Sequence, residues 1–359
     1  MTRSHSALPA LPARSRAEVA RPISYAYLFH LSDDVGLFEH AELTRPRKEH
    51  GYCVDDAARG LVVVAREPNP PQQLQRLAER YLSFVIDAVT PSGGVHNRRV
   101  FGGGWTDEPS FDDCWGRAVW GLGTAVARLP QLADRAAPAL EVTLRGRSRS
   151  PRALAFAGMG AVELLSINPG HANARALLSE AVYQLDTATM SNSLKSAGRW
   201  PWPEDRLAYA NAVLPETMIA AGALLPDDGL LTRGLAQLEW LVTREVVADG
   251  HLSVVPASGW AEGEPRPGFD QQPLELAALA DAGARAGDIT GDPRWDDLVL
   301  ACAAWFHGAN DCATVMVDEE TGGGYDGLTH TGRNENRGAE STLAMLSTLQ
   351  QAQRVGGRR

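Results

Sequence analysis

Apolar positions along this chain fall into two kinds of helical segment that alternate from end to end. In QQLQRLAERYLSFVIDA (72–88), Leu74, Leu77, Tyr81, Phe84 and Val85 share one stripe, with Arg76, Glu79 and Arg80 opposite, which predicts an outer, half-wet helix. Segments of the second kind are apolar nearly all round and rich in Ala and Gly: ARGLVVVA, GRAVWGLGTAVA, ALAFAGMGAVELL, NAVLPETMIAAGALL, LELAALADAGA and STLAMLSTL. Such helices must be surrounded by other helices, and small residues let them pack closely. Outer helices are predicted near 23–31, 72–88, 131–144, 171–190, 228–245 and 293–309, and inner ones near 55–66, 113–128, 151–166, 207–225, 271–287 and 338–353. About six outer–inner hairpins at a period of roughly 40–65 residues predict an all-α fold closed into an (α/α)6 toroid.

If the two kinds run antiparallel, every outer-to-inner connection lies at one end of the ring. Those connections end in similar phrases: GYCVDD (51–56), PSFDDC (109–114), WPWPEDR (200–206), PGFDQQ (267–272) and NENRGAE (334–340), with a basic LRGRSRSPR (144–152) in third place. Several are preceded by long loops rich in Gly and aromatics, whereas the opposite connections are short, so function is expected at the phrase-bearing face. An acid before an apolar helix is a favoured N-cap, but one cap needs one side chain. The doublets Asp55–Asp56, Asp112–Asp113 and Glu204–Asp205 supply two each. The expectation is that one member holds the helix end while the other faces the ring axis.

Carboxyls crowded at a mouth acquire split pKa values, the arrangement that glycoside cleavage uses as acid and base or nucleophile. Asp56 and Asp113 are the expected acid/base pair and Asp205 the next candidate. Tyr52, Trp105, Trp115, Trp200, Trp202, Trp260 and Tyr325 offer stacking faces to sugar rings. Asp55, Asp112, Glu204, Arg117, Arg206, Asp270, Gln271, Gln272, Asn334, Asn336 and Glu340 supply the acceptors, forks and amides that hydroxyls need. His50, His96 and His251 lie in mouth-side loops and support an alternative, a sugar epimerase or isomerase working through histidine bases, while His307 and His330 read as structural. A non-catalytic glycan-binding role is the third reading. DEETGGGYDG lacks the alternating register of a cation loop, and FGGGW lacks a P-loop lysine, so neither metal nor phosphate cofactor is expected.

Composition narrows the setting. The chain has 359 residues, 44% hydrophobic, with a net charge of −10, which argues against a nucleic-acid partner because no basic stripe is present. Cys53, Cys114, Cys302 and Cys312 form no CxxC pair, so reduced thiols are expected. Residues 1–21 read as a loose arm without a secretory h-region, 22–355 as a single toroid domain, and no segment reaches membrane-span length, which together predict a cytoplasmic protein.

The phrases HLSDDVGLFEHAELTRPRKEHGYCVDDAARGLV, SFDDCWGRAVWGLG, RWPWPEDRLAYANAVLPETMI, FDQQPLELAAL and ETGGGYDGLTHTGRNENRGAESTLAML resemble a bacterial family with a six-hairpin glycosidase-like (α/α)6 fold. The resemblance runs over nearly the whole chain from residue 22. Members are often encoded near, or fused to, glycosyltransferases and mannoside-processing enzymes, which implies an oligosaccharide or glycoconjugate substrate and a glycosyltransferase partner. Asp55, Asp56, Asp113, Glu204, Asp205, Asp270 and Glu340 stand at the family's motif positions. The chain departs from the pattern at Ala57, where TDDNARAL is expected, and at Glu335 and Arg337, where NLNQGAEST is expected.

Overall fold

Helical periodicity decides the architecture because each inner segment has no polar face to leave in water. The computed structural model describes residues 22–225, 227 and 229–358. Twelve α-helices among those residues alternate between two positions. The outer ones are α1 (Ala26–His30), α3 (Gln72–Ala88), α5 (Pro130–Thr143), α7 (Ala172–Lys195), α9 (Leu230–Glu245) and α11 (Pro293–Phe306). The inner ones are α2 (Val54–Arg66), α4 (Asp113–Arg128), α6 (Pro151–Ile167), α8 (Val213–Leu224), α10 (Pro273–Thr290) and α12 (Ala339–Gly356). Each inner helix packs on the next, and α12 returns to α2, so the ring is closed. This is the predicted (α/α)6 toroid. The first outer helix is much shorter than the expected 23–31, and the arm expected over residues 1–21 lies outside the described residues.

Burial follows the sequence pattern. On α3 the predicted stripe Leu74, Leu77, Tyr81, Phe84 and Val85 is buried, whereas α6 is buried from Arg152 through Leu165 on every side. Close approach between α4 and α6 depends on glycine. A Cβ on Gly123 would stand 2.3 Å from the Gly160 carbonyl oxygen, and one on Gly160 would stand 2.2 Å from that of Val119, so the two backbones touch without side chains between them. Along the axis lies a cavity of about 40 Å³ lined by Val62, Trp120, Phe156 and Met159 together with Arg59, Arg117, Glu216 and Asp281.

The inner helices share one polarity, and the two ends of the axis differ accordingly. At their C-terminal end, Arg66 forks onto Asp281 (2.8 and 3.0 Å) and Arg128 onto Glu163 (2.8 and 3.0 Å), while Arg285 Nε donates to Glu216 at 2.9 Å. Cations at helix C-termini complement the dipole, and bidentate pairs fix geometry. No helix among the described residues is long and apolar enough to cross a membrane.

The backbone contact between α4 and α6 yields a direct test. Gly160→Ala is expected to lower the unfolding free energy by about 1–3 kcal/mol through overpacking, whereas Gly104→Ala, where an added Cβ meets nothing within 4 Å, should stay within about 0.5 kcal/mol of wild type. Urea denaturation of the two variants checks this.

Candidate active site at the mouth of the ring

The loops at the N-terminal ends of the inner helices are long, and backbone ladders tie them to one another. β1 (Ala41–Glu42) pairs with β2 (Arg45–Pro46), and β7 (Gly327–Thr329) with β8 (Gly332–Asn334), each within one loop. β3 (Tyr52–Cys53) pairs with β4 (Arg98–Arg99), joining the loop before α2 to the loop before α4. β5 (Arg206–Leu207) pairs with β6 (Trp260–Ala261), joining the loops before α8 and α10. These ladders hold the rim in place above the helix ends.

The rim and the first turns of α2, α10 and α12 enclose a cavity of about 340 Å³ lined by Glu39, His40, Asp55, Asp56, Arg98, Asp326 and Glu340 among others. At its base, Arg59 binds Asp56 and donates to Glu340 Oε2 at 2.5 Å. Asp56 is 2% exposed, and burial pushes its carboxyl up to about 7 against the pull of Arg59, with Glu340 adding to the rise. On the wall Arg98 binds Glu39, and Asp326 Oδ1 accepts the Gly338 N–H at 2.6 Å. Burial raises the Asp326 carboxyl above the ordinary aspartate range.

Neither aspartate of the first doublet caps its helix, contrary to the sequence expectation. The N-cap position is Cys53, and the cap comes from a distant loop: Asn97 Oδ1 accepts the Val54 N–H at 3.1 Å. Asn97 Nδ2 donates to Asp55 Oδ2 at 2.9 Å, which turns Asp55 toward α4. There Asp55 Oδ1 lies 3.4 Å from Arg117 Nε. Asp112 occupies the N-cap position of α4, also without a side-chain cap, and is exposed. Asp113, one turn above Arg117 on α4, accepts a hydrogen bond from the Tyr209 hydroxyl, whose pKa is raised by burial and by Asp113. The basic third phrase supplies Arg152, 3% exposed, which binds Glu204, the Tyr209 carbonyl (2.5 Å) and Asn211 Oδ1 (3.1 Å). Glu275 in the first turn of α10 accepts from the N–H groups of Ala210 (2.5 Å) and Asn211 (3.1 Å), which holds the Tyr209 loop down.

The structure thus brings Asp55, Asp56 and Glu340 together on the cavity, places Asp113 and Arg117 behind Asp55 on α4 and Glu204 on Arg152, and sets others apart. Asp205 lies in a separate groove of about 150 Å³ with Lys195, Trp200 and Glu262. Arg206 pairs outward with Glu264 (2.8 and 3.0 Å), and Asp270 is exposed on its loop. Tyr52, Trp115 and Trp202 are buried and pack loop on helix, leaving no open face for a ring to stack on; Trp202 stacks on Trp240, and Tyr325 is also buried. Gln271 is buried and bound to Asp311, and Asn336 Oδ1 caps the Leu43 N–H at 2.8 Å. Of the histidines, His251 is held between Asp249 and Asp311, His96 stacks on Trp105, and His40 borders the cavity, a residue the sequence did not single out. Arg59, Asn97, Arg152, Tyr209 and Asp326 were missed as well. Arg59 carries a readable signal, a charge three residues after Asp56 inside an apolar helix.

Glu39, Cys53 and Asp56 bring their ligand atoms within 4.8 Å of one another. Arg98 and Arg59 already neutralise the two acids, and the Cys53 thiol donates to Asp56 Oδ2 at 3.1 Å, so these groups are paired without an ion. The four cysteines are free.

Burial of several carboxyls predicts a pH dependence with a fixed sign. Asp56, Glu216 and Glu275 are raised to about 7 and Glu245 to about 8, each chiefly by desolvation. The folded state therefore holds protons that the unfolded chain releases near pH 4, and the stability they contribute is lost as pH rises through 7–8. The thermal midpoint is expected to fall between pH 5 and pH 8.5, and Asp56→Asn to make that fall shallower. Scanning fluorimetry across this range checks both.

The chain matches no family model and no curated protein. Among solved structures it is similar to a sugar epimerase from a ruminal bacterium, with 13% identity, a TM-score of 0.70, and 93% of this chain and 97% of that one covered. It is likewise similar to a D-mannose isomerase (13% identity, TM-score 0.69, 96% of each chain). A GH76 alpha-mannanase of Bacteroides thetaiotaomicron matches with 10% identity and a TM-score of 0.63, over 94% of this chain and 97% of that one. These likenesses show the fold, an (α/α)6 toroid over nearly its whole length.

Proposed function

We propose that this chain is a carbohydrate-active enzyme that moves protons on a small reducing sugar, interconverting epimers or an aldose and a ketose. The observation that carries this reading is the pair Asp55 and Asp113. They stand on neighbouring inner helices, and each has one oxygen bound by a neighbour, Asn97 Nδ2 or the Tyr209 hydroxyl. Asp55 Oδ1 is buried 3.4 Å from Arg117 Nε without a hydrogen bond, Asp113 is half-buried, and the Arg117 charge acts on both. Asp113, oriented by the Tyr209 hydroxyl, is suited to take a proton from a carbon next to a carbonyl, and Asp55, on the wall of the mouth cavity, to return one. The cavity of about 340 Å³ lies at the small end of ligand sites, which run to about 300–1,000 Å³, and suits a short sugar better than a polymer. Likeness to a sugar epimerase and a D-mannose isomerase supports the same reaction class.

Hydrolysis is the second reading, and Asp326 favours it. Its desolvated carboxyl on the cavity wall is suited to donate a proton to a leaving oxygen, with Asp55 or Glu340 as the partner carboxylate.

A panel of reducing mono- and disaccharides followed by NMR separates the two. Proton transfer predicts new epimers or ketoses with no cleaved glycosidic bond, and a loss of about 10²–10⁴-fold in Asp113→Asn and Asp55→Asn. Released monosaccharide, abolished by Asp326→Asn, would instead establish hydrolysis.

A further inference from the structure

Outer helices of the ring meet water on one face, and on four of them that face is charged. Arg76, Glu79 and Asp87 stand exposed on α3, Asp134 and Arg135 on α5, Arg233 on α9 and Arg294 on α11. α7 differs. It is the longest of the set at 24 residues, and its exposed positions carry no charge from Ala172 as far as Leu194. They recur at steps of three and four residues, so they form one stripe about 36 Å long. The first half of the stripe is small, with Ala172, Ala176 and Ser179, and the second half is larger, with Tyr183, Thr187, Met190 and Leu194. Tyr183 is 69% exposed, Met190 57% and Leu194 81%, the last being the most exposed large apolar side chain among the described residues. Single apolar residues are normal on a surface, but a continuous uncharged stripe along a whole helix is the mark of a contact face.

We propose that this stripe is the interface between two copies of the chain, paired antiparallel about a twofold axis through Tyr183. The gradient from small to large selects a second copy as the occupant. A twofold at residue 183 sets Leu194 of one copy on Ala172 of the other, Met190 on Ala176 and Thr187 on Ser179, so each larger side chain meets a smaller one. Tyr183 meets its own symmetry mate, ring against ring. A parallel pairing would set large against large and leave a gap at the small end, and it would also align the two helix dipoles unfavourably. Charge agrees with the antiparallel arrangement. Glu180 and Asp186, the acids nearest the stripe, lie on opposite flanks of it, and the twofold keeps each on its own flank, so neither faces the other across the pair. Asp186 is already held by Arg233 Nε at 2.9 Å. The facing half of a helix 10–12 Å across and about 36 Å long offers at most about 600 Å² per copy. That area lies at the lower edge of stable interfaces, so the dissociation constant is expected on the order of 10 µM. The C-terminal end of α7 leads into a mouth-side loop, so antiparallel copies open their mouths in opposite directions.

Sedimentation velocity of the full chain from about 1 to 200 µM tests this. Wild type is expected to pass from monomer to dimer across that range. Met190→Glu, which buries a new charge in the pair, should raise the dissociation constant at least about 30-fold. Its thermal midpoint at low concentration should stay within about 2 °C of wild type, because residue 190 is exposed in the single chain. Mild oxidation then reads the register. Tyr183→Cys is expected to form a disulfide-linked dimer with itself, and Ala172→Cys to cross-link with Leu194→Cys when the two are mixed but neither to do so alone. Wild type, in which Cys53, Cys114 and Cys302 are buried and Cys312 is half-buried, should form no such dimer. A monomer at every concentration overturns the proposal, and so does a dimer that Met190→Glu leaves unchanged. A dimer in which Tyr183→Cys and the mixed pair both fail to cross-link overturns the antiparallel pairing. A monomer that binds phosphatidylcholine vesicles and loses them in Met190→Glu would assign the stripe to a lipid surface and overturn the dimer equally.

Discussion

Six inner helices with one polarity must bring six N-termini to the same place, and the rest of the molecule follows from that convergence. Each N-terminus carries unsatisfied N–H groups and a partial positive charge, contributing about 0.3–1 kcal/mol toward a nearby anion. Asp55, Asp56, Asp113, Glu216, Glu275 and Glu340 all lie in the first turns of inner helices. The opposite ends collect cations: Arg66, Arg128 and Arg354 lie in the last turns of α2, α4 and α12. Both ends also carry the opposite sign, Arg59 and Arg152 among the acids of the mouth and Asp281 and Glu163 among the cations of the far end, so each end is a network of ion pairs.

Within the mouth, that electrostatic surplus is managed unevenly. Most carboxylates are paired off by arginines from within the ring or from the rim, which fixes side chains that would otherwise repel one another. Arg59 joins α2 to α12, and Arg152 joins α6 to the loop before α8, so the same contacts that quiet the charge also tie separate segments together. Buried atoms left without a hydrogen bond include Asp55 Oδ1 with Arg117 Nε and Nη1 between α2 and α4, and also Arg59 Nε and Glu204 Oε2. Natural folds retain unsatisfied polar groups chiefly where function requires them.

The ring was legible in the sequence because it rests on local periodicity. Both kinds of helix, their order, and the end at which chemistry concentrates all follow from apolar spacing and loop length. The individual partners were hidden because they depend on contacts distant in sequence. Nothing near GYCVDD signals that Asn97 caps that helix, so the doublet looked like a cap and a catalyst when it is a bridge to α4 and a buried partner of Arg59. The aromatics misled for a related reason. Trp115 and Trp202 border polar loops in sequence, yet these loops fold back over the helix ends and bury them, with the Trp115 Nε1–H satisfied by the Thr143 carbonyl at 3.0 Å.

The ladders between rim loops separate what is fixed at the mouth from what is free to vary. Pairing of Tyr52–Cys53 with Arg98–Arg99 uses main-chain atoms, which any non-proline residue supplies, while the Arg98 side chain is left to line the cavity. The same holds where Arg206–Leu207 meets Trp260–Ala261. A toroid built this way has an interchangeable rim on a constant frame, so new ligand preferences become accessible through single rim substitutions without dismantling the ring that supports them.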